Sequence, residues 1–268
     1  MAKYTLAENI QRVRQSLQER FKAGKQAGEE TMRNDFFGTK TDWSYFCYKG
    51  SNIDIIKKLT TNDFRNAQNI SYMFAASSSV GDFDDIDQNK KLSFPKAVTA
   101  QGMFYCSNLI SLYSLVMPKC KNAKNLFRDS KKLEQAYIAG TAPEDFESAF
   151  GKCENLWELD IDLTNAKTLK NTFCECTNLE YLNCLGVISE DINLQWSTKL
   201  TVASLISLIK NLKDYSGTAK AHTRTITLSS DSWGVLANSS SAADELGFDW
   251  DMITCAQDVV TAKGWNWA

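Results

Sequence analysis

The stretch from Gln101 to Gly186 repeats itself at a fixed interval, and that interval constrains the fold more than any other property of the chain. Phe104, Phe127, Phe150 and Phe173 lie 23 residues apart. Each opens a copy of the pattern F-x-x-C-x-N-L-x-x-L-x-I. The slots are filled by Cys153, Leu156, Leu159 and Ile161 in one copy and by Cys176, Leu179, Leu182 and Cys184 in the next. Around Phe127 they read Ser130, Leu133, Ala136 and Ile138, and around Phe104 they read Cys106, Leu109 and Leu112, one residue early. Asn108, Asn155 and Asn178 precede the first Leu, and Pro95 and Pro118 stand nine residues before their Phe. Self-similarity at such a period signals a solenoid, in which one coil cannot bury its apolar side and stacking supplies the core.

The ending L-x-x-L-x-I places a short strand in each coil, because residues two apart share a face. Parallel strands from successive coils then form a ladder, as in a leucine-rich-repeat horseshoe. Phe and Cys fill the interior, and the Asn is expected to bond backbone amides where the coil turns toward its strand. The residues flanking the second Leu point away from the core. They line a candidate ligand-binding row of Ser111 and Tyr113, Gln135 and Tyr137, Glu158 and Asp160, Tyr181 and Asn183. Tyr offers a ring and a hydroxyl at little entropy cost, which suits protein or saccharide surfaces. The same row is also what any exposed ladder needs for solvation.

These four copies resemble the BspA-like class of leucine-rich repeats, whose coils are similar to F-x-x-C-x-x-L-x-x-I at 23 residues. Phe74, with Val80 and Phe83 in the Leu slots, resembles an earlier coil 30 residues before Phe104. Residues 37 to 48 resemble the lead-in of phage-type members, and residues 200 to 268 resemble their C-terminal cap. The fold expected is α+β: a short leucine-rich-repeat solenoid of about five coils of about 23 residues, with an N-terminal helix and an α/β C-terminal cap. The corresponding segments are 1–40, 41–199 and 200–268. The resemblance implies a non-enzymatic phage virion component, a tail, baseplate or fibre protein assembled in the host cytoplasm. Its partners would be other virion proteins through the N-terminal region and a host surface protein or glycan through the solenoid. The alternative it implies is a bacterial cell-surface adhesin or recognition protein.

Outside the repeats, Leu6, Ile10, Val13, Leu17 and Phe21 form one apolar stripe, so residues 6 to 37 read as helix. It serves either as a cap on the first coil or as a docking or homo-oligomerisation helix, and Gly24 and Gly28 allow a break. Trp43, Tyr45 and Cys47 alternate as a strand that begins the ladder. Beyond the repeats, Thr201 to Asp214 reads as a helix with Thr201 as N-cap. Thr223 to Leu228 reads as a strand with Ile226 and Leu228 inward. Ser230 to Ala237 and Asp249 to Ala262 read as helices, the latter stopped by Gly264. Five of the seven Trp lie between 196 and 267, where large rings suit closure of the stack.

The net charge of −2 gives no footprint for nucleic acid or an anionic membrane. No apolar run reaches the roughly 18 residues of a membrane span, so no membrane insertion is expected. The N-terminus has no apolar leader core, which argues against export unless a leader has been removed. The eight Cys mostly occupy repeat slots as small hydrophobes, where an aliphatic would serve equally well. A metal at Cys174, Cys176, Cys184 and His222 lacks paired C-x₂₋₄-C spacing, and the two Cys of C-x-C would face opposite ways. Asp82, Asp84, Asp85 and Asp87 lack the Gly and Glu of a calcium loop and read as a solvated acidic loop. No nucleophile elbow, dinucleotide or Walker motif is present, and His222 is the one imidazole. No catalytic residue, cofactor or metal is expected.

Overall fold

The computed structural model describes residues 37–50, 61–78, 92–138, 143–248 and 252–268. The chain divides into two units, Met1–Lys40 and Thr41–Ala268. Of the first, the described part is the turn at Phe37–Lys40, closed by the Lys40 amide donating to the Phe37 carbonyl at 3.1 Å. The helix expected over residues 6 to 37 therefore lies outside the described residues apart from Phe37. The same holds for Val80 and Phe83 and for the acidic loop at 82 to 87.

The second unit contains a solenoid of about four turns at the 23-residue spacing, with further turn segments around Cys47 and Phe74 at wider intervals. Its most regular element is the bend around each Phe. Cys47, Phe74, Phe104, Phe127, Phe150 and Phe173 are all fully buried. The residue two before each and the residue two after each have φ between 53° and 63°, in the left-handed region. Tyr45 and Lys49 flank Cys47 in this way, and Asn125 and Asp129 flank Phe127. Two left-handed residues four apart fold the chain into consecutive tight turns rather than a strand. Trp43, Tyr45 and Cys47 accordingly do not form the expected strand. Their alternation reflects the turn's own in-and-out rhythm, with Trp43 and Cys47 inward.

The backbone of this bend satisfies itself almost completely, as buried amides must. In the Phe104 coil, the amides of Met103, Tyr105 and Ser107 donate to Ala100, Gly102 and Phe104 of the same coil. The intervening amides of Ala100, Gly102, Phe104 and Cys106 donate to Asn122, Lys124, Leu126 and Arg128 of the next. Each bend is entered through a bridged column, Asp42, Asn69, Thr99, Asn122, Asp145 and Thr168. The Asp42, Asn69, Asn122 and Asp145 side-chain oxygens accept the amide two residues on at 2.8 to 3.1 Å, closing an Asx turn.

Inside, the Phe rings form one stack. Centroid separations are 5.3 Å from Phe74 to Phe104, 5.1 Å to Phe127, 5.3 Å to Phe150 and 6.3 Å to Phe173. The slot three residues after Phe is more than a place for a small hydrophobe. Ser130 Oγ donates to the Phe104 carbonyl at 2.5 Å, and the Cys153 and Cys176 thiols donate to the Phe127 and Phe150 carbonyls at 3.1 Å. An aliphatic there would forfeit a bond from one coil to the one before it. In the Phe104 coil Ser107 occupies this slot, with its Oγ 3.1 Å from Ser130 Oγ, while Cys106 is exposed. The Asn residues also act differently from expectation. Asn178 and Asn108 donate their side-chain amides to the Glu154 and Ser78 carbonyls of the preceding coil rather than accepting from amides.

Strands β1 (Leu92–Ser93) and β3 (Leu115–Val116) pair with each other. The ladder proper is a parallel sheet of β2 (Ser111–Leu112), β4 (Gln135–Ile138), β5 (Glu158–Asp162) and β6 (Tyr181–Leu185), in that order. Leu112, Ala136, Leu159 and Leu182 share one inward column. Outside the sheet, coils carry alternating charge at equivalent positions. Lys124 pairs with Glu147 at 2.7 Å, Lys131 with Glu154 at 2.5 Å, and Glu144 with Lys167 at 2.7 Å and Lys121 at 3.9 Å.

Helix α1 (Val202–Asn211) closes the last strand. Thr201 is its N-cap, accepting from the Ser204 amide, and Leu205, Ile206, Leu208 and Ile209 are buried. Ser204 Oγ accepts from the Leu182 amide at 3.0 Å and donates to the Glu180 carbonyl at 3.2 Å. Asn211 donates to the Cys184 carbonyl at 2.6 Å. The helix thus uses side chains to occupy hydrogen-bonding groups that would leave β6 an open edge. Lys263 caps the other end of α1, donating to the carbonyls of Ile209, Lys210 and Leu212 at 2.7 to 3.1 Å.

The cap also holds a parallel sheet of β7 (Ile192–Leu194), β8 (Thr225–Leu228) and β9 (Asn266–Trp267). Ile226 and Leu228 point inward as expected. Helix α2 (Ser230–Ala237) matches its expected span, α3 (Ser240–Leu246) is an addition, and α4 (Ala256–Ala262) is shorter than expected because residues 252 to 255 are not helical. Asp258, three residues into α4's entry, accepts from the Thr254 and Cys255 amides and so fixes the start there. Of the cap Trp, Trp233 and Trp265 are buried, whereas Trp196 and Trp267 are about half exposed.

Candidate functional site

The ladder brings the expected row together on one face. Ser111, Gln135, Glu158 and Tyr181 stand in one register column, and Tyr137, Asp160 and Asn183 in the next. Tyr113 lies just past the end of β2, its ring stacked on that of Tyr137 at 6.1 Å and 14°. In the first column exposure grows from 7% at Ser111 to 50% at Tyr181, while in the second Tyr113 is itself 39% exposed. Ser111 therefore holds its column position without lining the surface.

Alternation explains the geometry. In β5, Leu159 and Ile161 fill the core, which forces Glu158, Asp160 and Asp162 onto the outer side. Gln135 donates its side-chain amide to Glu158 at 2.6 Å, and the Tyr137 hydroxyl also bonds Glu158. Burial, that hydrogen bond and the charges of Glu158 and Asp160 push the Tyr137 phenol up to about 12. Partial burial raises Asp160 above the ordinary carboxylate range, and the negative charge of Glu158 adds to this, against a hydrogen bond from Asn183.

Three contributors were not expected from the sequence. Trp157 sets its ring edge-on to Tyr181 at 5.9 Å. Asp162 and Leu185 extend the face by one register pair, because β5 and β6 run a residue beyond the L-x-x-L-x-I pattern. The signal for Asp162 was its place two residues after Asp160.

The face is an open sheet surface of rings, amides and carboxylates, suited to hydrogen bonding and stacking against a partner. His222 is exposed in the cap, its amide donating to the Gly264 carbonyl. Cys176 and Cys184 are buried and Cys174 partly so, all three free thiols. Among the described residues no three His, Cys, Asp or Glu side chains are grouped to hold a metal ion. No helix among them is long and apolar enough to cross a membrane. No family model, curated protein or solved structure matches the chain.

Proposed function

We propose that this protein is a binding module, a leucine-rich-repeat solenoid of the BspA-like class, that recognises a protein or host receptor through its ladder face. The observation that carries this is the register of Tyr137, Asp160 and Asn183 beside Gln135, Glu158 and Tyr181 on one rigid parallel sheet. A sheet whose inner side is packed by Leu159, Leu182 and their neighbours presents its outer side chains at fixed spacing, which reduces the entropy lost on binding. The repeat resemblance supports service as a phage virion component in a tail, baseplate or fibre, attached through residues 1–40.

Two measurements test this. Purified phage particles analysed by mass spectrometry should contain the chain in stoichiometric amount; particles without it count against the virion assignment. Labelled protein should bind cells of a panel of candidate host bacteria. Replacing Tyr137, Tyr181 and Asp160 together by Ala should abolish that binding while circular dichroism stays unchanged. An equally folded triple variant that binds as well as wild type would move the site off the ladder.

A further inference from the structure

The solenoid treats charge in two ways, and the difference identifies the chemistry of the ladder face's partner. Away from the sheet, a Lys in one coil meets a Glu in the next, as at Lys124 and Glu147 or Lys131 and Glu154. On the sheet this stops. Glu158, Asp160 and Asp162 face outward from alternate positions of β5, and no outward position of β4, β5 or β6 carries Lys or Arg. Their described neighbours are neutral: Gln135 and Tyr137 bond Glu158, and Asn183 bonds Asp160. Neutral donors orient a carboxylate without cancelling its charge. Two ring pairs flank the row, Tyr113 with Tyr137 and Trp157 with Tyr181.

Ring faces attract cations, and the methylene stem of Lys or Arg packs on them. Carboxylates on alternate strand residues are spaced about 7 Å apart, which is also the spacing of alternate side chains in an extended segment. A polyanion would be repelled, and a neutral saccharide would cover three carboxylates without supplying a counter-charge. We propose that the ladder face binds an extended protein segment with Lys or Arg at alternate positions, its cations over Glu158, Asp160 and Asp162 and its stems against Tyr137 and Tyr181. This rests on the ladder being the binding face and adds the class of partner.

The test is selection of a random dodecapeptide library, displayed on yeast, against the purified full chain. Selected peptides should be enriched in Lys or Arg two residues apart, and their binding should weaken as salt is raised. The variant E158Q/D160N/D162N should bind them about tenfold more weakly or worse. Should that triple variant melt early, D160N alone is measured against the same peptides. Absence of enrichment, enrichment without basic residues, or undiminished binding by the amide variants overturns the proposal. Non-basic peptides that are lost on Y137A/Y181A would refute the basic partner and leave the ladder face standing. Peptides indifferent to both sets of variants would refute both readings.

Discussion

Phe127→Ala tests the ring stack at its middle. The ring is fully buried between Phe104 at 5.1 Å and Phe150 at 5.3 Å, inclined to them by 2° and 19°. Deleting a buried Phe costs about 3–5 kcal/mol through lost transfer energy and the cavity left behind. Each stacked pair contributes about 0.5–1.5 kcal/mol beyond its buried area. Phe127 loses two such contacts, so its cost belongs near the top of that range. Phe173 meets Phe150 at 6.3 Å and should cost about 1 kcal/mol less. The backbone keeps its bonds in either case, because the Phe127 carbonyl still accepts the Ser130 amide and the Cys153 thiol. Urea unfolding followed by far-ultraviolet circular dichroism and Trp fluorescence measures both variants. A fall in melting temperature of about 10 °C should accompany Phe127→Ala. A cost below about 1 kcal/mol for Phe127→Ala, or a larger cost for Phe173→Ala, would refute the stacked register.

Cys153 offers a second test. Cys153→Ser should keep the bond to the Phe127 carbonyl, as Ser130 does one coil earlier, while Cys153→Ala should lose it at a cost of about 1 kcal/mol. Cys153→Val should be worse than Ala, since a methyl would face that carbonyl; a Val variant as stable as wild type in urea would show the slot to be purely apolar. A third concerns pH. Asp160 has a folded pKa raised by burial and by Glu158. The stability tied to its protonated form is complete below the unfolded carboxylate pKa and is lost as pH rises through the folded value. At neutral pH the charge therefore opposes folding. Asp160→Asn should melt above wild type at pH 7, with the gap closing toward about pH 3; a variant that melts lower at pH 7 sinks the argument.

The 23-residue spacing made the coil legible, and strict alternation around Leu159 and Leu182 made the outer face legible. The helix after Thr201 and the strand ending at Leu228 were readable for the same reason, an unbroken period. The left-handed bends were not readable, because Gly102, Asn125 and Asn171 are outnumbered by residues such as Tyr45, Tyr72 and Lys152, whose types do not favour positive φ. The cross-coil amide bonds impose that conformation against local preference. Cys106 drew attention by residue type, although the constant offset from Phe selects Ser107. The column from Asp42 to Thr168 always lies five residues before the Phe slot, and alignment by the ring would have exposed it. Helix α3 lacks a sustained apolar stripe; among its seven residues only Ala242 is buried.

The alternation of Lys and Glu between coils imposes a parity rule on the length of the stack. Lys121 and Lys124 make one coil cationic, Glu144 and Glu147 make the next anionic, and Lys167 and Lys170 return the sign. Duplicating one 23-residue block within this region would set like charges against each other along a whole seam. Duplicating two consecutive blocks would leave every neighbour opposite in sign. Each pair alone is worth little at an exposed surface, but the seam acts at several positions together and also penalises a slip of the stack by one coil. Growth or shrinkage by tandem duplication is therefore biased toward even steps, while the closing contacts of Ser204 and Asn211 can be reused by any terminal strand that offers the same edge.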